Sequence, residues 1–296
     1  VWGTSPPDVY SVGGPRGSPG LEALALHVDG TTWRDMSAGG TASFWWVSGT
    51  GPQDVWMVGE KGRITHWDGK AFREDVSGVT VTLFGLWASS PTDAWAVGGT
   101  PGAGKGAPND VVLHWDGKAW SPETLPAQLG AALFKVWGSG PDDVYVVGEG
   151  ATVWHRRGGT WKQEQAATAK GTLLTVSGCS ASEVYAVGEN NVVRSDGTAW
   201  TALTPKLTSR VNGVACNAPG QIVLVGSGGL KQRLVDGAWI DEFTKPPYAD
   251  LHGAWADGQG SFWAAGGDFA GPASGQPREG VLARWGKGTI PTTLTK

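Results

Sequence analysis

The sequence predicts an all-β chain folded as a seven-bladed β-propeller with four antiparallel strands per blade. Three observations predict it. A unit of about forty residues recurs seven times, each unit divides into four short apolar runs separated by turn signals, and no stretch shows helical periodicity.

The best-preserved copy is "VWGSGPDDVYVVG" from Val136, and it returns as "VWGTSPPDVYSVG" from Val1, "VSGTGPQDVWMVG" from Val47 and "LWASSPTDAWAVG" from Leu86. Later copies keep register as "VSGCSASEVYAVG" from Val176, "VACNAPGQIVLVG" from Val214 and "AWADGQGSFWAAG" from Ala254. Their closing glycines, Gly13, Gly59, Gly98, Gly148, Gly188, Gly226 and Gly266, lie 38 to 50 residues apart. A second signature follows in most units: "HVDGTTW" from His27, "HWDGKAF" from His66, "HWDGKAW" from His114 and "RSDGTAW" from Arg194. An Asp-Gly pair between apolar runs is a strong local hairpin signal. In the fourth unit the elements run in order: an inner strand in "LFKVWG", a Pro-Asp turn, a second strand in "VYVVG", a variable loop, a third strand in "ATVWH", the hairpin and an outer strand in "TWKQE". Radial stacking of such units leaves only short, protected strand edges. A β-helix would need a shorter repeat. The expected blades are 1–42, 43–79, 80–130, 131–171, 172–209, 210–250 and 251–296, in a single domain. Val1 enters late in the first inner strand, so two routes to ring closure stand open. Blades one and seven close by packing alone, or Thr292 to Thr295 complete the first inner strand.

These units resemble the "VWGSGPDDVYAVG…HWDGxxW" repeats of exported proteins and lipoproteins of myxobacteria and related bacteria. The resemblance spans nearly the whole chain and implies a propeller fold and export, with an export signal or tether expected upstream of Val1. It implies no substrate. "SDGTAW" is also distantly similar to the Asp-box turn of sialidase-like propellers, S-x-D-x-G-x-T-W, but departs from it because Ser195 and Asp196 are adjacent.

Composition narrows the partners. Lys and Arg number 23 against 27 Asp and Glu, with no run of one sign, so a nucleic-acid backbone is not the expected partner. No apolar stretch reaches the roughly 20 residues of a membrane helix. The 48 glycines and 18 tryptophans imply many turns and many large packed aromatics.

Position in the repeat then decides which side chains can cooperate. His27, His66, His114 and His155 share one third-strand position, with Arg194, Leu234 and Arg284 as expected counterparts, so they spread around an outer ring and hold no common metal. His252 alone lies outside that pattern. Fifteen of the eighteen tryptophans repeat by strand and are expected to fill the gaps between blades. Trp45, Trp46 and Trp154 are the ones left less explained. The turn acids Asp8, Asp54, Asp93, Asp143 and Glu183 are expected to cap backbone N–H groups. Calcium there would want several oxygen ligands on one short loop, so no metal and no cofactor is expected. Cys179 and Cys216 end the inner strands of adjacent blades, where either a disulfide between blades or two buried thiols fit.

The loop between second and third strands is long in blades one, three and seven: "PRGSPGLEA", "TPGAGKGAPND" and "DFAGPASGQPREG". All three are expected on one face, with the blade connections. Loops on a rigid scaffold commonly carry function, and position alone nominates Arg16, Lys105, Asp110, Tyr248, Asp268, Phe269, Arg278 and Glu279 as ligand contacts. The stretch from Gly99 to Lys105 matches a phosphate-binding loop, but Gly106 stands where Ser or Thr must follow the lysine and a strand follows where a helix must, so no nucleotide is expected. Three of the four tyrosines are repeat-equivalent, leaving only Tyr248 for an axial active site, and no catalytic motif stands out. The expectation is a non-catalytic, exported or surface-attached propeller binding a protein partner or surface glycan through one composite site. A lectin, and then a glycoside hydrolase or lyase with an axial site, are the alternatives.

Overall fold

The computed structural model describes residues 1–14, 22–267, 280–286 and 290–295. Seven antiparallel sheets follow one another along the chain. Blade four shows the pattern: Leu133–Gly140, Asp143–Gly148, Thr152–Arg157 and Thr160–Gln165 pair in sequence order. The inner strands of the other blades are Trp2–Ser5, Phe44–Gly51, Thr82–Ser90, Thr175–Ser180, Val211–Ala218 and Leu251–Ala256. Each lies against the inner strands of both neighbours, blade one against blade seven included, so they surround an axis. The fold is the expected all-β seven-bladed propeller of four-stranded blades. Among the described residues blade seven shows three strands, ending with Gly280–Trp285. No helix there is long and apolar enough to cross a membrane.

Closure takes neither expected route. Leu294–Thr295 pairs in parallel with the outer strand of blade one, Trp33–Asp35, and Trp33 N–H donates to Thr293 O at 2.8 Å. The outer strand offers a free edge of unpaired N–H and C=O groups, whereas the inner strand faces the axis. Ile290 packs with Val1, Val9, Val28, Trp33 and Trp263 across the seam.

One contact recurs in four of the gaps between blades. In blades two, three and four the second-strand aromatic meets the outer-strand tryptophan of the next blade edge-on: Trp56 with Trp120 at 5.4 Å, Trp95 with Trp161 at 5.6 Å, Tyr145 with Trp200 at 5.9 Å. Trp263 and Trp33 repeat it across the closure at 6.2 Å. The indole N–H then reaches a carboxylate of the preceding blade, as from Trp200 to Glu164 at 2.7 Å. Trp154, unexplained by the repeat, is buried in the core shared by blades three and four.

Of the turn acids, Glu183 accepts a backbone N–H as expected, from Gly220 of the next blade at 2.7 Å. Asp8, Asp54, Asp93 and Asp143 behave differently; each joins a histidine of the third strand to a hydroxyl of the inner strand. His66 Nε2 lies 2.7 Å from Asp54 Oδ1, and Thr50 Oγ1 donates to Asp54 Oδ2 at 2.5 Å. His155 and Ser139 hold Asp143 at 2.8 and 2.5 Å, and His27 with Thr4, and His114 with Ser89, do the same for Asp8 and Asp93. A carboxylate only accepts, so Nε2 donates. Each imidazole also stacks on its second-strand aromatic, at 3.9 Å for Trp56–His66 and 3.8 Å for Tyr145–His155. Backbone capping belongs instead to the Asp-Gly hairpins, where Asp29, Asp68, Asp116 and Asp196 each accept two N–H bonds. In blade six the histidine position falls on Arg233, opposite Val223, one residue before Leu234. Arg233 pairs with Glu242 at 2.6 Å.

Candidate functional site

Antiparallel blades put the second-to-third-strand loops and the blade connections on one face, where the inner strands begin. On that face the inner strands share a defect. In blades two, three, four, six and seven the pairing with the second strand skips one residue, and that residue is Trp45, Phe84, Phe134, Asn212 or His252. A β-bulge leaves its extra residue unpaired and re-aims the side chains around it. Here it brings them to the axial mouth.

The next position along each strand reads Trp46, Gly85, Lys135, Thr175, Gly213 and Gly253 in blades two to seven. Its two long side chains reach across the axis, between blades that are not neighbours. Lys135 Nζ of blade four lies 4.1 Å from the centroid of the Trp46 ring of blade two. A Cβ on Gly253 of blade seven would come within 3.2 Å of that same ring, so the glycine makes room for it. Lys135 also donates to Phe84 O at 2.6 Å and Phe134 O at 3.2 Å. Above the amine, Trp45, Phe84 and Phe134 form an aromatic arc, with ring centroids 5.2 Å apart for Trp45–Phe84 and 5.1 Å for Phe84–Phe134. Trp45 is 38% exposed. Burial pushes the Lys135 amine down to about 7. Burial also lowers His252, with Lys135 adding to it and Asp250 opposing it.

The residues nominated by position fare unevenly. Arg16, Asp268, Phe269, Arg278 and Glu279 lie outside the described residues. Lys105 is exposed in the blade-three loop. Asp110 is buried and accepts the N–H of Gly130 at 2.6 Å, while Glu149 of blade four accepts the N–H of Gly102, so this loop is held down onto its neighbour. The loop passes into the strand Val111–Trp115, not into a helix. Tyr248 is 54% exposed and stands edge-on to Phe243 at 5.5 Å, in the connection between blades six and seven. Buried Lys231 lies 5.3 Å from the Tyr248 ring and donates to Pro247 O. Cys179 and Cys216 are joined as a disulfide, with Cα atoms 5.5 Å apart. With Glu183 they form the one cluster of His, Cys or acid groups close enough to hold an ion among the described residues, and both sulfurs are engaged in the bond. Lys135, Phe84, Phe134 and Asn212 were not singled out from the sequence.

No protein-family model matches the chain, and no curated protein matches it in sequence. Among solved structures, YCF48 from Cyanidioschyzon merolae is similar over 87% of this chain and 92% of that one, at 14% identity and a TM-score of 0.62. YCF48 bound to D1 peptide is similar over 76% of this chain and 75% of that one, at 14% identity and a TM-score of 0.57. Likeness at this identity establishes a shared propeller fold.

Proposed function

We propose that this chain is a non-catalytic interaction propeller of an exported or surface-attached protein, and that it holds a segment of a protein partner on its looped face. The observation that carries this reading is the axial mouth. Bulges in three inner strands present an aromatic arc of Trp45, Phe84 and Phe134 beside a cation, with Trp45 exposed, and aromatic anchors of this kind dominate binding energy at protein interfaces. The peptide seen on YCF48 supports a propeller of this general fold as a peptide holder. The disulfide fits an oxidising compartment. A surface glycan is the second reading, favoured by exposed Phe243 and Tyr248, whose ring faces suit a sugar.

Selection of a displayed peptide library against the immobilised chain, with a glycan array in parallel, tests the proposal. Native protein should retain peptides that Trp45→Ala binds roughly tenfold or more weakly. Saturable glycan binding, with no peptide sensitive to Trp45, would replace the partner by a sugar.

A further inference from the structure

Lys135 is hydrogen-bonded but carries no countercharge. Its partners are two backbone carbonyls and an indole face, and among the described residues no carboxylate stands within ion-pair distance of it. Carbonyl oxygens and an aromatic face satisfy an ammonium's donors without neutralising its charge. A charge taken out of water and left uncompensated is costly, and a ligand that brings the opposite charge recovers that cost on binding. As a residue Lys135 is half-buried, not sealed off. Trp46 and Lys135 together cross the axis, so a group entering from the looped face ends at the amine.

We propose that the axial mouth is a carboxylate pocket: an acidic group borne on an apolar or aromatic neighbour enters beside Trp45 and Phe134 and pairs with the Lys135 ammonium. This rests on the looped face being the binding face and names the chemistry it selects. The arc of Trp45, Phe84 and Phe134 takes the apolar part, and Lys135 takes the charge. The other titratable group facing the amine across the axis is His252, with Asp250 near it. Burial lowers His252, which supplies no negative charge.

The probe is phenylacetate, compared with its neutral isostere phenylacetamide, titrated at pH 6.5 into intact protein labelled with 13C at lysine Cε. The acid should bind roughly tenfold or more tightly than the amide, the value expected of one close charge pair, and should shift a single lysine resonance that Lys135→Gln removes. Equal affinity for acid and amide, or no binding of either at millimolar concentration, overturns the proposal, and this comparison needs no variant. The peptides selected above separate the two claims. If they bind through Trp45 while acid and amide do not differ, the interaction reading stands and the carboxylate pocket falls. If phenylacetate binds as expected and no peptide depends on Trp45, the pocket stands and the protein partner falls.

Discussion

Asp54, Asp143 and Glu164 sit under opposing influences. Burial alone raises each carboxyl, but hydrogen bonds outweigh it and hold all three below their ordinary values: His66 and Thr50 at Asp54, Ser139, His155 and Arg157 at Asp143, His155 and Trp200 at Glu164. A carboxyl whose folded value lies below its unfolded one stabilises the fold above the unfolded value, about 4, and that stabilisation is lost as pH falls through the folded value. Urea midpoints should therefore drop as pH falls below about 4. Asp143→Asn should lower stability at neutral pH by about 1 kcal/mol, the low end for a hydrogen-bonded charge because the group is partly in reach of water, and should shallow the acid limb. An acid limb unchanged in the variant would place the titrating groups elsewhere. The residues of these networks were legible singly: each blade from one to four carries a hydroxyl four residues before an aspartate, with a histidine at a variable distance beyond it. Their union was not, because the hydrogen bonds run across three strands and the turn position alone suggested a cap.

At the scale of the element, the "WG" of the repeat has a packing cause. The inner-strand tryptophan of one blade lies over the glycine of the next: a Cβ on Gly138 would stand 2.6 Å from the Trp87 ring, and one on Gly178 2.5 Å from the Trp137 ring and 2.8 Å from Glu183 O. Backbone on one side leaves the alanine methyl nowhere to go without moving the indole. Gly178→Ala should cost about 1–3 kcal/mol, the range for overpacking a filled site, measured by urea unfolding. A loss under about 0.5 kcal/mol would mean that the blades slide freely past each other. Strand order and hairpins were legible because turn chemistry and the repeat both mark them. The bulges were not, since one unpaired residue leaves the apolar pattern intact. A one-residue deletion in blade six likewise moved its histidine position from Leu234 to Arg233. The site had a signal nonetheless. Trp45 and Trp46 were two of the three tryptophans the repeat failed to place, and Lys135 stands in a column otherwise of Trp, Gly and Thr.

For the whole molecule, seven similar units close into a ring whose two faces differ. One carries Pro-Asp turns and Asp-Gly hairpins that are tight and alike from blade to blade. The other carries the loops, the blade connections and the bulged beginnings of the inner strands, and it is here that blades stop being equivalent. Trp46 reaches past blade one to Gly253, and Lys135 reaches past blade three to Trp46, so the axis is filled by contacts no repeat rule generates. That asymmetry is what allows one composite site on a repetitive scaffold. Length and repeat made the ring legible; the closing strand was misplaced because only the folded ring shows which edge is free. The most direct test of the binding face is amide hydrogen exchange of the intact chain with and without a selected peptide. Protection concentrated at the inner-strand beginnings of blades two to four, around Trp45, Phe84 and Phe134, is the result predicted; protection confined to the Asp-Gly hairpins, around Gly69, Gly117 and Gly197, would contradict it.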